Sequence, residues 1–179
     1  MPIIIFLLLF LPAILFAQIP DFDATKSLAE QGLLRAQFNL GLMYANGEGV
    51  PENDAEAVKW FRLAAEQGLA EAQFNLGVMY ANGEGVPEND AEAVKWYRLA
   101  AEQGYVIAQI NLGMKHAFGQ GVPENYLTAY VWLSVSAAQG NQLAKDNLEI
   151  VKNILTNEQL AQGQRLASTC FESNFKNCP

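Results

Sequence analysis

The chain predicts an all-α solenoid of helix-turn-helix repeats closed by C-terminal capping helices. Three observations carry this. A 36-residue unit recurs in register, its apolar residues fall at helical spacing, and Gly/Pro clusters interrupt them at fixed places. A period of this size belongs to units that cannot bury their apolar faces alone and must stack. The array predicts about eight short helices, two per full repeat.

The N-terminal segment differs from the rest. "MPIIIFLLLFLPAILFA" carries no charge, and the first charged residue is Asp21. The apolar run from Ile3 to Ala17 is short for a membrane span, which takes about 20 residues. It has the length of a secretory signal core, with Ala17 before the cut, although no Lys or Arg precedes it. Residues 1–17 are therefore expected to be a signal peptide, the alternative being an uncleaved inner-membrane anchor. The expected location is periplasmic or secreted. Residues 18–32 follow as half a repeat, because "SLAEQG" at Ser27–Gly32 matches the end of a unit.

Residues 33–68 and 69–104 are two full copies that differ only at 34/70, 35/71, 42/78 and 61/97. In the first helix of the unit, Ala36, Leu40 and Tyr44 share one face with Met43 beside them. Gly41 lies inside that helix, where Gly costs about 1 kcal/mol against Ala. Its return as Gly77 and Gly113 predicts close approach of a neighbouring helix. "NGEGVPEN" stops the helix, with Gly47 and Gly49 taking left-handed backbone and Pro51 barring continuation. Asn53 is the expected N-cap of the second helix, with Glu56 completing a capping box. Ala57, Trp60, Phe61 and Ala64 then form its buried face, and Gly68 ends it.

Residues 105–140 are a more diverged third copy. It keeps Leu112, Gly113, Gly119, Gly121, Val122, Pro123, Ala129, Trp132, Ala137 and Gly140 and loses most charges. Residues 141–168 hold a terminal variant, "AKDNLE", and capping helices. Residues 169–179 are a tail holding both cysteines, Cys170 and Cys178. An even count in an exported chain predicts a disulfide. The nine-residue loop it closes is worth roughly 2.5 kcal/mol on the chain-entropy model.

The pattern on Ala36, Leu40, Gly41, Met43, Tyr44, Gly47, Gly49, Val50, Asp54, Ala57, Trp60, Ala64, Ala65 and Gly68 resembles the Sel1-like repeat, a tetratricopeptide-like unit. The resemblance covers about Ser27 to Gly140, and "LTNEQLAQGQRLAS" at Leu155–Ser168 resembles the closing helix of bacterial members. The third copy departs from it at His116, in place of Tyr, and at Tyr126, in place of Asp. Leu133 and Val135 make its second helix more apolar, as nearness to a cap explains. The resemblance implies a right-handed array whose first helices line a concave groove. By resemblance the groove positions are Arg35, Phe38, Asn39, Leu42 and Asn46, then Glu71, Phe74, Asn75, Val78 and Asn82, then Ile107, Ile110, Asn111, Met114 and Phe118. Asn39, Asn75, Asn111 and Asn147 form a row in which each amide offers a donor and an acceptor to an extended peptide. Phe38, Phe74 and Ile110 are expected beside it as apolar pockets.

The expected function is a non-enzymatic scaffold or adaptor for a protein or peptide, in envelope assembly, regulation or signalling, or as a secreted host-interaction factor. A net charge of −8 repels nucleic acid. Membrane contact is expected only through residues 1–17. No cofactor or metal is expected, since the acidic loops at Glu48, Glu52 and Asp54 lack calcium-loop order. The competing class is a β-lactamase-like or peptidoglycan-acting hydrolase, because "SNFK" at Ser173–Lys176 matches S-x-x-K. That motif sits in a tail without the companion motifs, and His116 has no evident catalytic partner, so both read as structural.

Overall fold

The computed structural model describes residues 21–179; the predicted signal or anchor at 1–17 lies outside the described residues. Nine α-helices and no strand are formed among them. They are α1 (Phe22–Glu30), α2 (Leu34–Asn46), α3 (Asp54–Glu66), α4 (Ala70–Asn82), α5 (Asp90–Ala101), α6 (Val106–Phe118), α7 (Tyr126–Ala138), α8 (Gln142–Lys152) and α9 (Asn157–Glu172). From α1 to α8 each helix packs on its neighbours in sequence, so the core runs along the array.

Punctuation recurs with the period. Gly47, Gly83 and Gly119 end α2, α4 and α6 in the left-handed conformation. Asn53, Asn89 and Asn125 cap α3, α5 and α7, accepting from the backbone N–H three residues on. The expected capping box is only half made. Asn53 accepts from Glu56, but the Glu56 carboxylate turns along the helix to Lys59, where a full charge is available. The reciprocal box forms at Thr156 and Gln159 of α9 instead.

The mid-helix glycines are sites of close approach. A methyl group on Gly41 would lie 2.6 Å from the Phe61 ring, and one on Gly77 would lie 2.7 Å from the Tyr97 ring. The second glycine of each loop spaces the repeats. Gly85 and Gly121 have positive φ and lie on the backbone of Asp54 and Asp90, where a methyl would come within 2.4 and 2.3 Å. A buried glutamine ties each unit to the one before. Gln37, Gln73 and Gln109 donate to the carbonyls of Ala29, Ala65 and Ala101. Gln67, Gln103 and Gln139 donate to the three glutamines in turn, so these buried amides are satisfied on both sides.

The array ends because its pattern ends. At α8, Lys145 stands where the register puts Gln109 and Glu149 where it puts Gly113; both are exposed. A charged side chain there refuses another close-packed helix. The α9 helix instead turns back onto α7. Gly163 allows this, since a methyl on it would meet the Tyr130 ring at 2.5 Å. Beyond α9 the tail runs back towards α5. Cys170 and Cys178 are bridged, and Phe175 lies over Gly104.

Candidate functional site

Three clefts recur along the row of first helices, each shifted by one repeat. The first, of about 240 Å³, lies between α2 and α4 and is lined by Leu42, Asn46, Asp54, Phe61, Asn75, Val78 and Glu84 among others. The second, of about 220 Å³, lies between α4 and α6 and includes Asn82, Tyr97, Asn111, Met114, Lys115 and Gln120. The third, of about 100 Å³, lies between α6 and α8 and includes Met114, Phe118, Tyr126, Asn147, Ile150 and Ile154. Leu42, Asn75, Val78, Asn111 and Met114 therefore meet in or between these clefts. Asn39 is exposed at the open N-terminal side of the row, outside all three.

The apolar residues expected beside the asparagines are placed differently. Ile110 is 1% exposed and belongs to the core under α8, with Ala144 and Leu148 in the same cluster. It is a correction to the groove reading, because an aliphatic side chain here is covered by the next first helix. Phe38 and Phe74 are half-buried and engaged with other rings. Phe38 packs on Phe61 at 5.8 Å, and Phe74 packs on Tyr97 and Tyr105 at 5.8 and 5.3 Å. They wall the row rather than offer empty pockets.

The asparagines are not equivalent. In the second cleft the Tyr97 hydroxyl lies beside Asn111. Burial first, opposed by the nearby Asn111 amide and aided by the charge of Asp90, pushes the Tyr97 phenol up to about 12, so it stays protonated. In the first cleft the corresponding ring is Phe61, which has no hydroxyl to offer Asn75. The Asn147 amide donates to its own helix at Leu143, 2.9 Å away. The clefts also grade in polarity. Carboxylates of Asp54 and Glu84 line the first, the Lys115–Asp90 ion pair sits at the second, and the third is mainly apolar, with Phe118 63% and Ile150 62% exposed. Arg35 and Glu71, at equivalent places in successive repeats, pair at 2.9 Å. A backbone hydrogen bond and, less strongly, Arg35 hold the Glu71 carboxyl below its usual value against desolvation.

The serine of "SNFK" is used by the tail. Ser173 Oγ donates to the Cys170 carbonyl and accepts from the Asn177 N–H. His116 is buried on α6, with Nε2 3.3 Å from Arg98. Its Nδ1 lies near the Pro123 carbonyl without a well-directed hydrogen bond. Burial first, then Arg98, lowers its pKa, which keeps the ring neutral at pH 7.

Sequence reasoning missed the glutamine ties and the contacts of Arg98 and Trp132 with Pro179. The glutamines were signalled by strict 36-residue recurrence of a polar residue on a packed face.

A stacked array of helix pairs with a row of clefts on one helix layer defines an α/α repeat scaffold. The Sel1 repeat model matches at residues 34–69, 70–105 and 106–141, and the chain belongs to that family. It is similar to the crystal structure of a Sel1 repeat protein from Oxalobacter formigenes, at 43% identity and TM-score 0.66, over 72% of this chain and 97% of that one. It also resembles a protective antigen of uropathogenic Escherichia coli with an SLR fold, at 30% identity and TM-score 0.66. That match covers 86% of this chain but 42% of the antigen. Cysteine rich protein B of Helicobacter pylori shares the fold, at 22% identity and TM-score 0.55, over 71% of this chain and 96% of that one. No curated protein matches significantly. Sel1 repeats generally serve as protein–protein interaction scaffolds and are typically non-enzymatic adaptors. Among the described residues no helix is long and apolar enough to cross a membrane.

Proposed function

We propose that the protein is a non-enzymatic adaptor outside the cytoplasm that holds an extended peptide segment of a partner along the row of first helices. The observation that supports this is the recurrence of one cleft in three successive positions, with Asn75, Asn111 and Asn147 at the same place in each. An extended strand presents amide groups at regular spacing, and side-chain amides recurring along an array suit that repetition. Asn75 is the member whose ring neighbour, Phe61, carries no hydroxyl to compete for its amide, so it is the strongest contact in this reading. The third cleft, with Phe118, Ile150 and Ile154, receives an apolar side chain of the same segment. The paired cysteines fit an oxidising compartment, which supports a working place in the cell envelope or beyond it.

Site-specific photo-crosslinking in living cells tests this, with the reactive group at Asn75 and a control at exposed Lys95 on α5. The expected result is a discrete adduct from position 75 alone, with the partner identified by mass spectrometry. Equal adducts from both positions, or none from 75, would overturn the groove reading.

A further inference from the structure

The tail occupies a site whose residues recur one repeat earlier. Arg98 Nη1 and Trp132 Nε1 both donate to the carbonyl oxygen of Pro179, each at 3.1 Å. The second amine of Arg98 is steadied by His116. Four residues before Pro179, Phe175 sits over Gly104, 2.9 Å from where a methyl would project. Moving back 36 residues, Arg62, Trp96 and Gly68 occupy the corresponding places. Arg62 Nη2 donates to Tyr80, the counterpart of His116, at 2.5 Å. No described residue supplies the tail's acceptor or its covering ring there. Apart from its chain neighbours, nothing among the described residues would lie within 4 Å of a methyl on Gly68, as at Gly32 and Gly140, and Trp96 Nε1 is shut off from solvent without an acceptor. A buried donor left unpaired is unfavourable, so the site is poised for the group its twin already holds. The third set, Lys26 with Trp60, lacks the guanidinium fork.

We infer that Arg62, Trp96 and Gly68 form a second peptide-binding site, which takes a segment with an aromatic residue four positions before a free carbonyl or carboxylate. The acceptor enters past Arg62 onto Trp96 Nε1, as Pro179 enters past Arg98 onto Trp132, and the aromatic ring covers Gly68. The intramolecular tail keeps the Arg98–Trp132 copy filled through its high effective concentration, which leaves only the Arg62 copy for a ligand in solution. The site uses none of the cleft asparagines, so it stands independently of the adaptor reading.

The probe is the oxidised peptide of residues 169–179, as free acid and as C-terminal amide, added to the intact protein. The three indole N–H resonances are assigned with Trp60→Phe, Trp96→Phe and Trp132→Phe. The expected result is a saturable shift of the Trp96 resonance while that of Trp132 stays put. Arg62→Gln weakens binding about tenfold or more, as does a Phe175→Ala peptide, while Asn75→Ala leaves it unchanged. A Trp96 signal unmoved by either peptide at millimolar concentration would overturn the inference, as would a shift that survives Arg62→Gln in a protein whose spectrum stays folded.

Discussion

At the scale of single residues, His116 stands where the two earlier repeats carry Tyr44 and Tyr80. The Tyr80 hydroxyl accepts from Arg62, whereas the His116 ring faces Arg98 and must stay neutral to do so without repulsion. Its folded pKa lies below the ordinary histidine value, through burial and then Arg98. Between that lowered value and about 6.5 the unfolded chain binds more protons than the folded one. The contribution is therefore complete above pH 6.5 and is lost as pH falls through the folded pKa. The parent should melt at a lower temperature at pH 5.5 than at pH 7.5, and His116→Tyr should reduce that difference. Scanning calorimetry at the two pH values measures it, and an equal difference in both proteins would refute the assignment. Glu71, whose carboxyl is held low by a backbone hydrogen bond and then by Arg35, contributes in full above its ordinary value near 4.5 and loses that contribution only below it, so it does not confuse the comparison. The sequence showed the Tyr/His exchange and placed it on a packed face. It did not show Arg98, because the partner lies across a repeat boundary in space. Ile110 was misread for a related reason. The 36-residue register assigns equivalent positions, but equal positions are covered unequally where the array meets its terminal helix.

Pairs of elements are held by how closely two backbones come together. Gly41 and Gly77 sit against the faces of Phe61 and Tyr97, which are 2% and 3% exposed and have nowhere to retreat. Gly113 instead faces Leu133, with 3.1 Å to the nearest atom of a branched but adjustable side chain. An alanine in mid-helix gains about 1 kcal/mol from propensity. Overpacking a filled core costs about 1–3 kcal/mol. Gly77→Ala should thus destabilise by up to about 2 kcal/mol net, while Gly113→Ala should lie within about 0.5 kcal/mol of the parent. Urea midpoints read the difference directly, and equal losses at the two sites would mean that the rings do not decide the spacing. The close approach was legible because Gly inside a helix requires a reason. The direction of α9 was not, since Glu149 and Lys145 show only that stacking stops. The helix returns onto α7 because Gly163 and the apolar third repeat offer a surface, and neither residue carries a periodic signal.

Across the whole molecule, the near-identity of the first two copies makes a quantitative claim about modularity. Removing residues 69–104 joins Gly68 to Tyr105, the same junction that Gly104 makes now. Arg62 then takes the place of Arg98 beside His116 and Pro179, and Gly68 takes the place of Gly104 beneath Phe175. Gln67 replaces Gln103, and Asn53 and Gly47 keep their caps. Four residues change at the new interface: Leu34 for Ala70, Arg35 for Glu71, Leu42 for Val78, and Phe61 for Tyr97, which removes a hydroxyl from the cleft of Asn111. Stability in such arrays is approximately a sum of unit and nearest-neighbour terms. The shortened protein should therefore fold cooperatively and keep its helicity per residue. Its two cysteines should stay unreactive to thiol reagents, and its urea midpoint should fall by one repeat and one interface. Circular dichroism, thiol titration and urea melts test this together. Free thiols in a helical product would show that the tail does not settle on Arg62 and Trp132. Loss of helicity would show that the middle repeat holds contacts which its twin cannot replace.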